Sequence, residues 1–291
     1  MNIKPRDIVL EVGSGNNPNP RSDILVDRYP FDNGQRAGGF RIVVDRPMVV
    51  ADGYRLPFKD KTFDYVICSH ILEHMEDPKG FLMEVARVAK AGYIEVPSAV
   101  SERVFGWNFH HWYCEKKGNT LVLQRKKEGE QFDGFFHRLI ADQIWFRRFF
   151  EEHEGMFYVR YEWRDRPLIR VDDREPSKTA LDTLDKMAWS LLKRAKPQGI
   201  EDSMFYISWM KRRIIRKVKK ITRLFFWSIQ RVPLNGNIVE RIVACLTCPI
   251  CGSGKLVRSN GKITCGKCTA VFPIVGVIPV MLTPVEQKKG Y

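Results

Sequence analysis

The stretch IVLEVGSGNNPNP, residues 8–20, decides the fold expected of this chain. Its apolar start predicts a buried strand, and Gly13 and Gly15 predict a tight turn directly after that strand. Such a turn is typical of nucleotide-binding sheets. The third glycine of a dinucleotide fingerprint is missing, because Pro18 stands in its place, and no P-loop pattern is present. The residues that follow the turn must therefore identify the ligand.

Length and composition indicate a folded protein with a polyanionic partner. The chain has 291 residues, 44% of them hydrophobic, which predicts one large domain or a domain plus a small one. Its net charge of +14 favours nucleic acid or an anionic membrane surface as a partner. We expect no signal or transit peptide, because a strand begins by Ile8, and no membrane span. The expected location is the cytoplasm, with a peripheral position at the membrane left open.

Four more strands are predicted downstream of the glycine turn. They cover residues 23–27, 41–50, 63–69 and 91–98. A helix is predicted over 71–89, with an interruption at Pro78. Strands separated by helical or loop segments predict an α/β fold with a Rossmann-like, doubly wound, mostly parallel sheet.

The pattern changes beyond residue 100. A hairpin is predicted around Lys117-Gly118-Asn119. An aromatic, helix-like segment follows at 132–155, and 174–208 is expected to be helical in part. Two strands that pair with each other are predicted at 157–163 and 168–173, and a turn or linker at 233–237.

Acidic residues lie before the glycine turn and at the ends of the later strands. Glu11 precedes the turn, Asp27 closes the second strand, and Asp52-Gly53 follows the third. The fourth strand ends in SHILEH, residues 69–74. In this order, the motifs resemble the class I S-adenosylmethionine-dependent methyltransferases, over roughly residues 6–98.

The resemblance implies a role for each acid. In that family an acid like Asp27 binds the ribose hydroxyls, an acid like Asp52 binds the adenine amino group, and Glu11 orders the turn and the amino acid tail of the cofactor. The other residues expected at the cofactor are Gly13, Ser14, Gly15, Asn17, Gly53, Ser69 and His70. Asn17 departs from the small residue that is frequent there. Taken alone, Asp27 could cap a helix and Asp52 could belong to an ordinary turn.

Three histidines are candidates for a general base. Methyl transfer depends mainly on alignment and desolvation, and a base helps when the acceptor must lose a proton. His70 is the first candidate because it ends a strand, and His110 and His111 are the second. An aromatic lid that packs over the ligand is an equal interpretation of that pair.

The pattern H-x-x-E-H at 70–74 is also a zinc-protease signature. We favour His74 as a packing residue, because the motif follows a strand.

Five of the seven cysteines lie in the last fifth of the chain. Cys248 and Cys251 form one C-x2-C pair, and Cys265 and Cys268 form another after thirteen residues. Two such pairs predict a structural zinc ion held by four thiolates, with Cys245 as an ordinary buried thiol. Residues 245–282 resemble the small zinc-ribbon activators of methyltransferases. The resemblance implies that the ribbon packs on the methyltransferase domain.

A basic segment precedes the cysteines. Residues 209–231 hold nine Lys and Arg and no acid, and their apolar residues follow helical spacing along one face. Such a helix can lie on an anionic membrane or face RNA phosphates. It can also dock on its own domain with solvated charges. The membrane is slightly favoured, because the aromatic cluster at 225–227 is segregated from the charges.

The sequence therefore predicts three parts and one activity. The parts are a methyltransferase domain at 1–175 with a substrate lid at about 100–155, a basic helical connection at 176–240, and a zinc ribbon at 241–291. We expect methyl transfer to the oxygen of a small, lipid-type or saccharide-type acceptor. The alternatives are an RNA or protein methyltransferase and a non-catalytic partner protein. The sequence predicts no oligomeric state.

Overall fold

The computed structural model describes residues 1–29, 42–127, 135–230 and 243–288. In the helix at 199–230, only the backbone is described at 216–217 and 219–230. The predicted turn at 233–237 lies outside the described residues.

A six-stranded sheet forms the centre of the fold, in the order β3-β2-β1-β4-β5-β8. Neighbouring strands from β3 to β5 pair in parallel, and β8 joins the edge at β5 antiparallel. These strands are β1 Val9–Val12, β2 Ile24–Asp27, β3 Met48–Val50, β4 Phe63–Ser69, β5 Ala89–Pro97 and β8 Tyr158–Arg164. Strands that are buried on both faces have continuous apolar sequences, and such runs therefore form the central strands here. All four residues of β1, for example, are buried. The predicted mostly parallel, Rossmann-like sheet is confirmed.

The helix after β4 begins later than the sequence pattern predicts. Helix α1 covers Pro78–Val88, where Asp77 caps it by accepting from Gly80 N at 2.9 Å. Proline suits the first turn, since its missing N–H would have no helical partner there. Before it, Leu72–His74 form a 3₁₀ turn. His70 and His74 therefore do not share a face of one helix.

The segment between β1 and β2, residues 13–23, contains no helix. A third glycine in a dinucleotide fingerprint allows a helix to pack closely on the strand. Because no helix forms here, that glycine is not needed. The irregular loop fits the Asn-rich and Pro-rich sequence at 16–20.

The aromatic segment belongs to a second, helical core. Its helices are α2 Ala99–Phe105, α3 Phe135–Asp142, α4 Ile144–Glu152, α5 Glu154–Phe157 and α6 Lys178–Leu192. The buried side chains that they share are Val100, Val104, Phe105, Phe146, Phe149, Phe157, Ala188 and Leu191. Many aromatic residues of the predicted lid thus pack against one another.

A three-stranded sheet consists of β6 Trp112–Lys117, β7 Thr120–Arg125 and β9 Ile169–Asp172. The predicted hairpin is confirmed, with Gly118 at φ 58° in its turn. The predicted pairing of 157–163 with 168–173 is wrong. Strand β8 pairs with β5 and β9 pairs in parallel with β7, so the chain changes sheets between them. The long edge of β5 offers β8 seven paired positions, which a short hairpin with β9 could not supply.

The C-terminal strands form a small antiparallel sheet of β10 Leu256–Ser259, β11 Lys262–Cys265, β12 Val271–Val275 and β13 Ile278–Pro279, before helix α8, Pro284–Lys288. Just after β13, Val280 forms a parallel bridge to Val50, and Met281 N donates to Val50 O at 2.8 Å. Leu246 forms an antiparallel bridge to Phe58. The small sheet and the central sheet share one hydrophobic cluster.

Helix α7, Gly199–Gln230, contains most of the basic segment. It is tied to α4 by Arg148 Nε with Asp202 at 2.7 Å and by Arg212 Nη2 with Glu151 at 2.8 Å. Ile200, Met204, Ile207 and Ile214 on its described part are more than half exposed. Within 209–218, Ile214 and Val218 are about half exposed, whereas Met210 is partly buried. No helix among the described residues is long and apolar enough to span a membrane.

Candidate functional site

The glycine turn is held between β2 and the segment after β4. Gly13 and Gly15 have φ values of 74° and 52°, a left-handed conformation that glycine adopts without strain. Gly13 N donates to Val26 O at 2.8 Å. A Cβ on Gly13 would lie 2.8 Å from Ile71 Cδ1. The backbone of the turn thus comes close to the end of β4, where only glycine fits.

Asp27 connects the end of β2 to this turn. Its Oδ2 accepts from Gly15 N at 3.2 Å, and its Oδ1 accepts from Tyr29 N at 2.9 Å. The carboxylate lies at the carboxyl edge of the parallel sheet, where ligands of open α/β sheets bind.

Asp52 follows β3 at the same edge. Its Oδ2 accepts from Arg28 Nη1, and its Oδ1 accepts from Tyr54 N at 2.9 Å. A Cβ on Gly53 would lie 2.8 Å from Phe81 Cε2, so glycine lets α1 pack against this turn. Asp52 thus already pairs with a guanidinium, which holds its carboxylate in a fixed orientation.

Glu11 is a buried acid inside β1. Its carboxylate accepts from Asn19 N at 2.8 Å and from Ser22 Oγ. Burial raises the pKa of Glu11 to about 7, although the bonds from Ser22 and Asn19 and the charge of Arg46 oppose the rise. Arg46 Nη1 donates to the carbonyls of Asn19 and Ser22 at 2.7 and 2.8 Å. Glu11 therefore organises the loop that carries the glycine turn.

Ser14 supplies a test of whether this edge fits a bound cofactor. Its Oγ is buried and has no hydrogen-bond partner among the described residues. Buried hydroxyls are nearly always satisfied, so an unpaired one beside a partly exposed backbone turn suits a polar ligand group. Asn17, in contrast, is an exposed residue of the loop. The turn, the two acids and Ser14 fit S-adenosylmethionine, which carries an amino acid tail, a ribose and an adenine.

His70 follows Ser69 at the end of β4, with φ at 54°. Its Nδ1 lies 3.5 Å from Glu73 Oε1, and its Nε2 lies 3.6 Å from Glu95 Oε1. Burial opposes the charged imidazolium, but the two carboxylates outweigh it and raise the pKa of His70 to about 9. His70 is therefore protonated at neutral pH in this arrangement and has no free lone pair to act as a base.

His110 and His111 lie next to the 3₁₀ turn that follows β4 and contains Glu73. His110 Nδ1 is 2.5 Å from Glu102 Oε1, and Glu102 Oε2 accepts from Lys126 Nζ at 2.7 Å. His111 N donates to Glu73 O at 2.8 Å. The structure thus brings the three candidate histidines to one end of the sheet around Glu73.

Parts of this chain are similar in sequence to known proteins. Residues 33–94 match the family model described as a methyltransferase domain. The demethylmenaquinone methyltransferase of Corynebacterium urealyticum is 37% identical over 97 residues, which cover 32% of this chain and 41% of that protein. That of Renibacterium salmoninarum is 34% identical over 106 residues, covering 35% and 45%. The matched part of this chain is thus similar to methyltransferase domains.

The chain spans less than half the length of the curated relatives it matches. Among solved structures, a complex of the Haloferax volcanii Trm112 methyltransferase activator is similar at 19% identity and a TM-score of 0.30, covering 41% of this chain and 67% of that one. The YcgJ protein from Bacillus subtilis is similar at 23% identity and a TM-score of 0.26, covering 32% and 44%.

Nearer the end of the sequence, four cysteines form a second candidate site. Cys248 Sγ lies 3.6 Å from Cys268 Sγ, and Cys251 Sγ lies 3.6 Å from Cys265 Sγ. Zinc–sulfur bonds of about 2.3 Å in a tetrahedron require sulfur atoms about 3.8 Å apart. The donor set and its spacing therefore fit zinc. Cys245 is not part of this group, so the predicted register of the two pairs agrees with the structure.

The sequence analysis did not identify most of the charged residues around the histidines at this edge of the sheet. Glu95 lies in β5, Glu102 in α2, and Lys126 directly after β7. No spacing rule connects a helix residue to a charge two strands later. The one available signal for Glu73 was its position in SHILEH.

Proposed function

We propose that this chain is an S-adenosylmethionine-dependent methyltransferase. The observation that carries the proposal is the convergence of the glycine turn, Asp27, Asp52 and His70 at the carboxyl edge of one parallel sheet. In a doubly wound sheet, strand ends near the reversal of strand order form the ligand crevice. Here that reversal lies between β1 and β4.

Each residue at this edge has a proposed contact with the cofactor. Asp27 binds the ribose hydroxyls, Asp52 binds the adenine amino group, and Ser14 binds the amino acid tail beside the turn. Glu11 holds the turn in shape. Gly13, Gly15, Asn17, Gly53 and Ser69 line the remaining edge. When bound, S-adenosylmethionine supplies an electrophilic methyl group on its sulfonium, so the protein must chiefly align it with the acceptor and exclude water.

For the acceptor we propose a small, lipid-type or saccharide-type molecule that is methylated on oxygen. The names of the curated relatives, demethylmenaquinone methyltransferases, support a lipid-type acceptor. His70 is proposed to face it. With its pKa at about 9, His70 donates a hydrogen bond to the acceptor oxygen at neutral pH and becomes a base only after losing that proton. His110 and His111 remain candidates beside it.

A contact with an anionic membrane is proposed for residues 209–231. The support is nine basic residues without an acid, together with an apolar helix face on which Ile214 and Val218 are about half exposed. A lipid-type acceptor would be met at such a surface. RNA, which would also bind a basic helix, is the alternative.

We also propose the domain division 1–175, 176–240 and 241–291, with a zinc ion bound by Cys248, Cys251, Cys265 and Cys268. The shared hydrophobic cluster supports a ribbon that stabilises the methyltransferase domain rather than one that carries substrate.

Transfer of a labelled methyl group tests the proposed activity. Purified protein is incubated with labelled S-adenosylmethionine and with the lipid, RNA and protein fractions of a cell extract. We expect label in the lipid or small-molecule fraction, reduced by Asp27→Ala and unchanged by Asp173→Ala, which alters an exposed acid on the segment after β9. Label in RNA or protein would replace the proposed acceptor, and no label in any fraction would favour a non-catalytic partner.

A further inference from the structure

A second possible metal site lies inside the methyltransferase domain. One ligand atom from each of Glu73, His74 and His110 can be chosen so that all three lie within 4.8 Å of one another. Glu73 and His74 belong to the 3₁₀ turn after β4, and His110 precedes β6. Two imidazoles and one carboxylate are a ligand set that zinc takes in catalytic sites, where a fourth position stays open.

The carboxylate of Glu73 points to a missing ligand. Glu73 is 1% exposed, and neither of its oxygens has a hydrogen-bond partner among the described residues. Its nearest cationic group is His70 Nδ1, at 3.5 Å from Oε1. The protonated His70 offsets the charge of this carboxylate without forming a hydrogen bond to it, so both buried oxygens still lack a donor or a ligand. Coordination of a metal cation would satisfy them.

Both histidines are already oriented by second contacts. His110 is buried, and its Nδ1 faces Glu102 at 2.5 Å, which leaves Nε2 for a ligand. Glu102 is held in turn by Lys126 at 2.7 Å. A carboxylate behind a metal-binding imidazole fixes its tautomer and raises its basicity in zinc sites.

His74 is fixed from the other side. Phe109 stacks on its ring, with ring centres 5.5 Å apart and planes 8° apart, and the backbone of Phe109 interacts with the imidazole. The rings of His74 and His110 meet edge to face at 4.7 Å. Phe109 is about half exposed and His74 is partly exposed, so this side of the site lies near the protein surface.

We propose that Glu73, His74 and His110 bind a zinc ion separate from the four-cysteine site. The proposal replaces the interpretation of His74 as a packing residue, and it differs from the H-x-x-E-H protease pattern because His70 is not a ligand. The site adjoins the cofactor edge, since His70 lies beside Glu73 and Ile71 packs against Gly13.

The use of this ion rests on the proposed function. Its open position suits the oxygen of a hydroxyl acceptor, whose pKa a zinc ion lowers. The hydroxyl proton leaves to solvent, and the oxygen then forms a bond to the methyl carbon. The carbon–sulfur bond breaks, and its electron pair stays on sulfur. His110 is then a ligand rather than a base.

Metal analysis of the full chain tests the proposal without any acceptor or cofactor. After zinc loading and dialysis, elemental analysis is expected to find two zinc ions per chain. Glu73→Gln and His110→Asn should each reduce this to one. His153→Gln, which changes a histidine on another helix end, should keep two. One ion per chain in the unaltered protein would overturn the proposal, whether or not the variants fold.

Two further measurements separate this site from the ribbon and from the proposed activity. Cobalt in a four-thiolate site gives an intense sulfur-to-metal absorption band, and a second equivalent at nitrogen and oxygen ligands should add only weak visible bands. Glu102→Gln should weaken the second equivalent by about 10- to 100-fold, and an unchanged affinity would contradict the role of Glu102. Two ions without S-adenosylmethionine binding would contradict the proposed function but leave the metal site standing.

Discussion

The buried carboxyl of Glu11 gives the structure a pH dependence that one substitution should remove. Burial raises the pKa of Glu11 from 4.5 to about 7. Between these values the folded state holds a proton that the unfolded chain has released, so stability falls as pH rises through this range. The loss is about 1 kcal/mol at pH 5.5 and about 3 kcal/mol at pH 8. Glu11→Gln carries no charge and should not show this loss.

The comparison is made by urea unfolding of both proteins at pH 5.5 and pH 8. The difference in unfolding free energy should move in favour of Glu11→Gln by about 2 kcal/mol between the two pH values. Any constant effect of the amide cancels in this difference. Glu201→Gln changes an exposed carboxylate and should show no such movement. A difference that is equal at both pH values would refute the reasoning that burial controls the ionisation of Glu11.

Two other predictions concern the ribbon and the basic helix. Cys248→Ser should lose the ribbon zinc in elemental analysis and lower the thermal midpoint, whereas Cys245→Ser should keep the ion; the reverse pattern would show that the register of the pairs is wrong. Anionic vesicles should sediment the protein at low salt and neutral vesicles should not, because screening shortens the Debye length from about 10 Å at 0.1 M to about 3 Å at 1 M salt. Changing Lys211 and Arg212 to Gln should weaken this sedimentation, and binding of tRNA without binding of vesicles would favour RNA as the partner of 209–231.

The central sheet could be predicted because its strands are continuous apolar runs that end in glycines or acids. The start of α1 at Pro78 was also within reach, since Asp77-Pro78 is an ordinary cap and first-turn pair. The pairing of β8 with β5 could not be predicted. The sequences of β8 and β9 both alternate between apolar and polar residues, and this pattern also suits a local hairpin between those two strands. Which edge a strand joins depends on distant partners, and the sequence pattern does not encode that choice locally.

The candidate site shows the same division. The glycine turn, Asp27 and Asp52 were predictable because each ends a strand, and strand ends meet at one edge. The network of Glu102, His110 and Lys126 was not, because a helix, a loop and a strand end bring it together. Its charges are buried, whereas charged residues met in a sequence are expected at the surface.

Calorimetric binding of S-adenosylmethionine to the purified chain tests the central claim most directly. We expect saturable binding, weakened by about 1–3 kcal/mol in Asp27→Ala, because the ribose hydroxyls lose their partner. Asp173→Ala, at an exposed position, should bind like the unaltered protein. Tight binding of NAD together with no binding of S-adenosylmethionine would contradict the account.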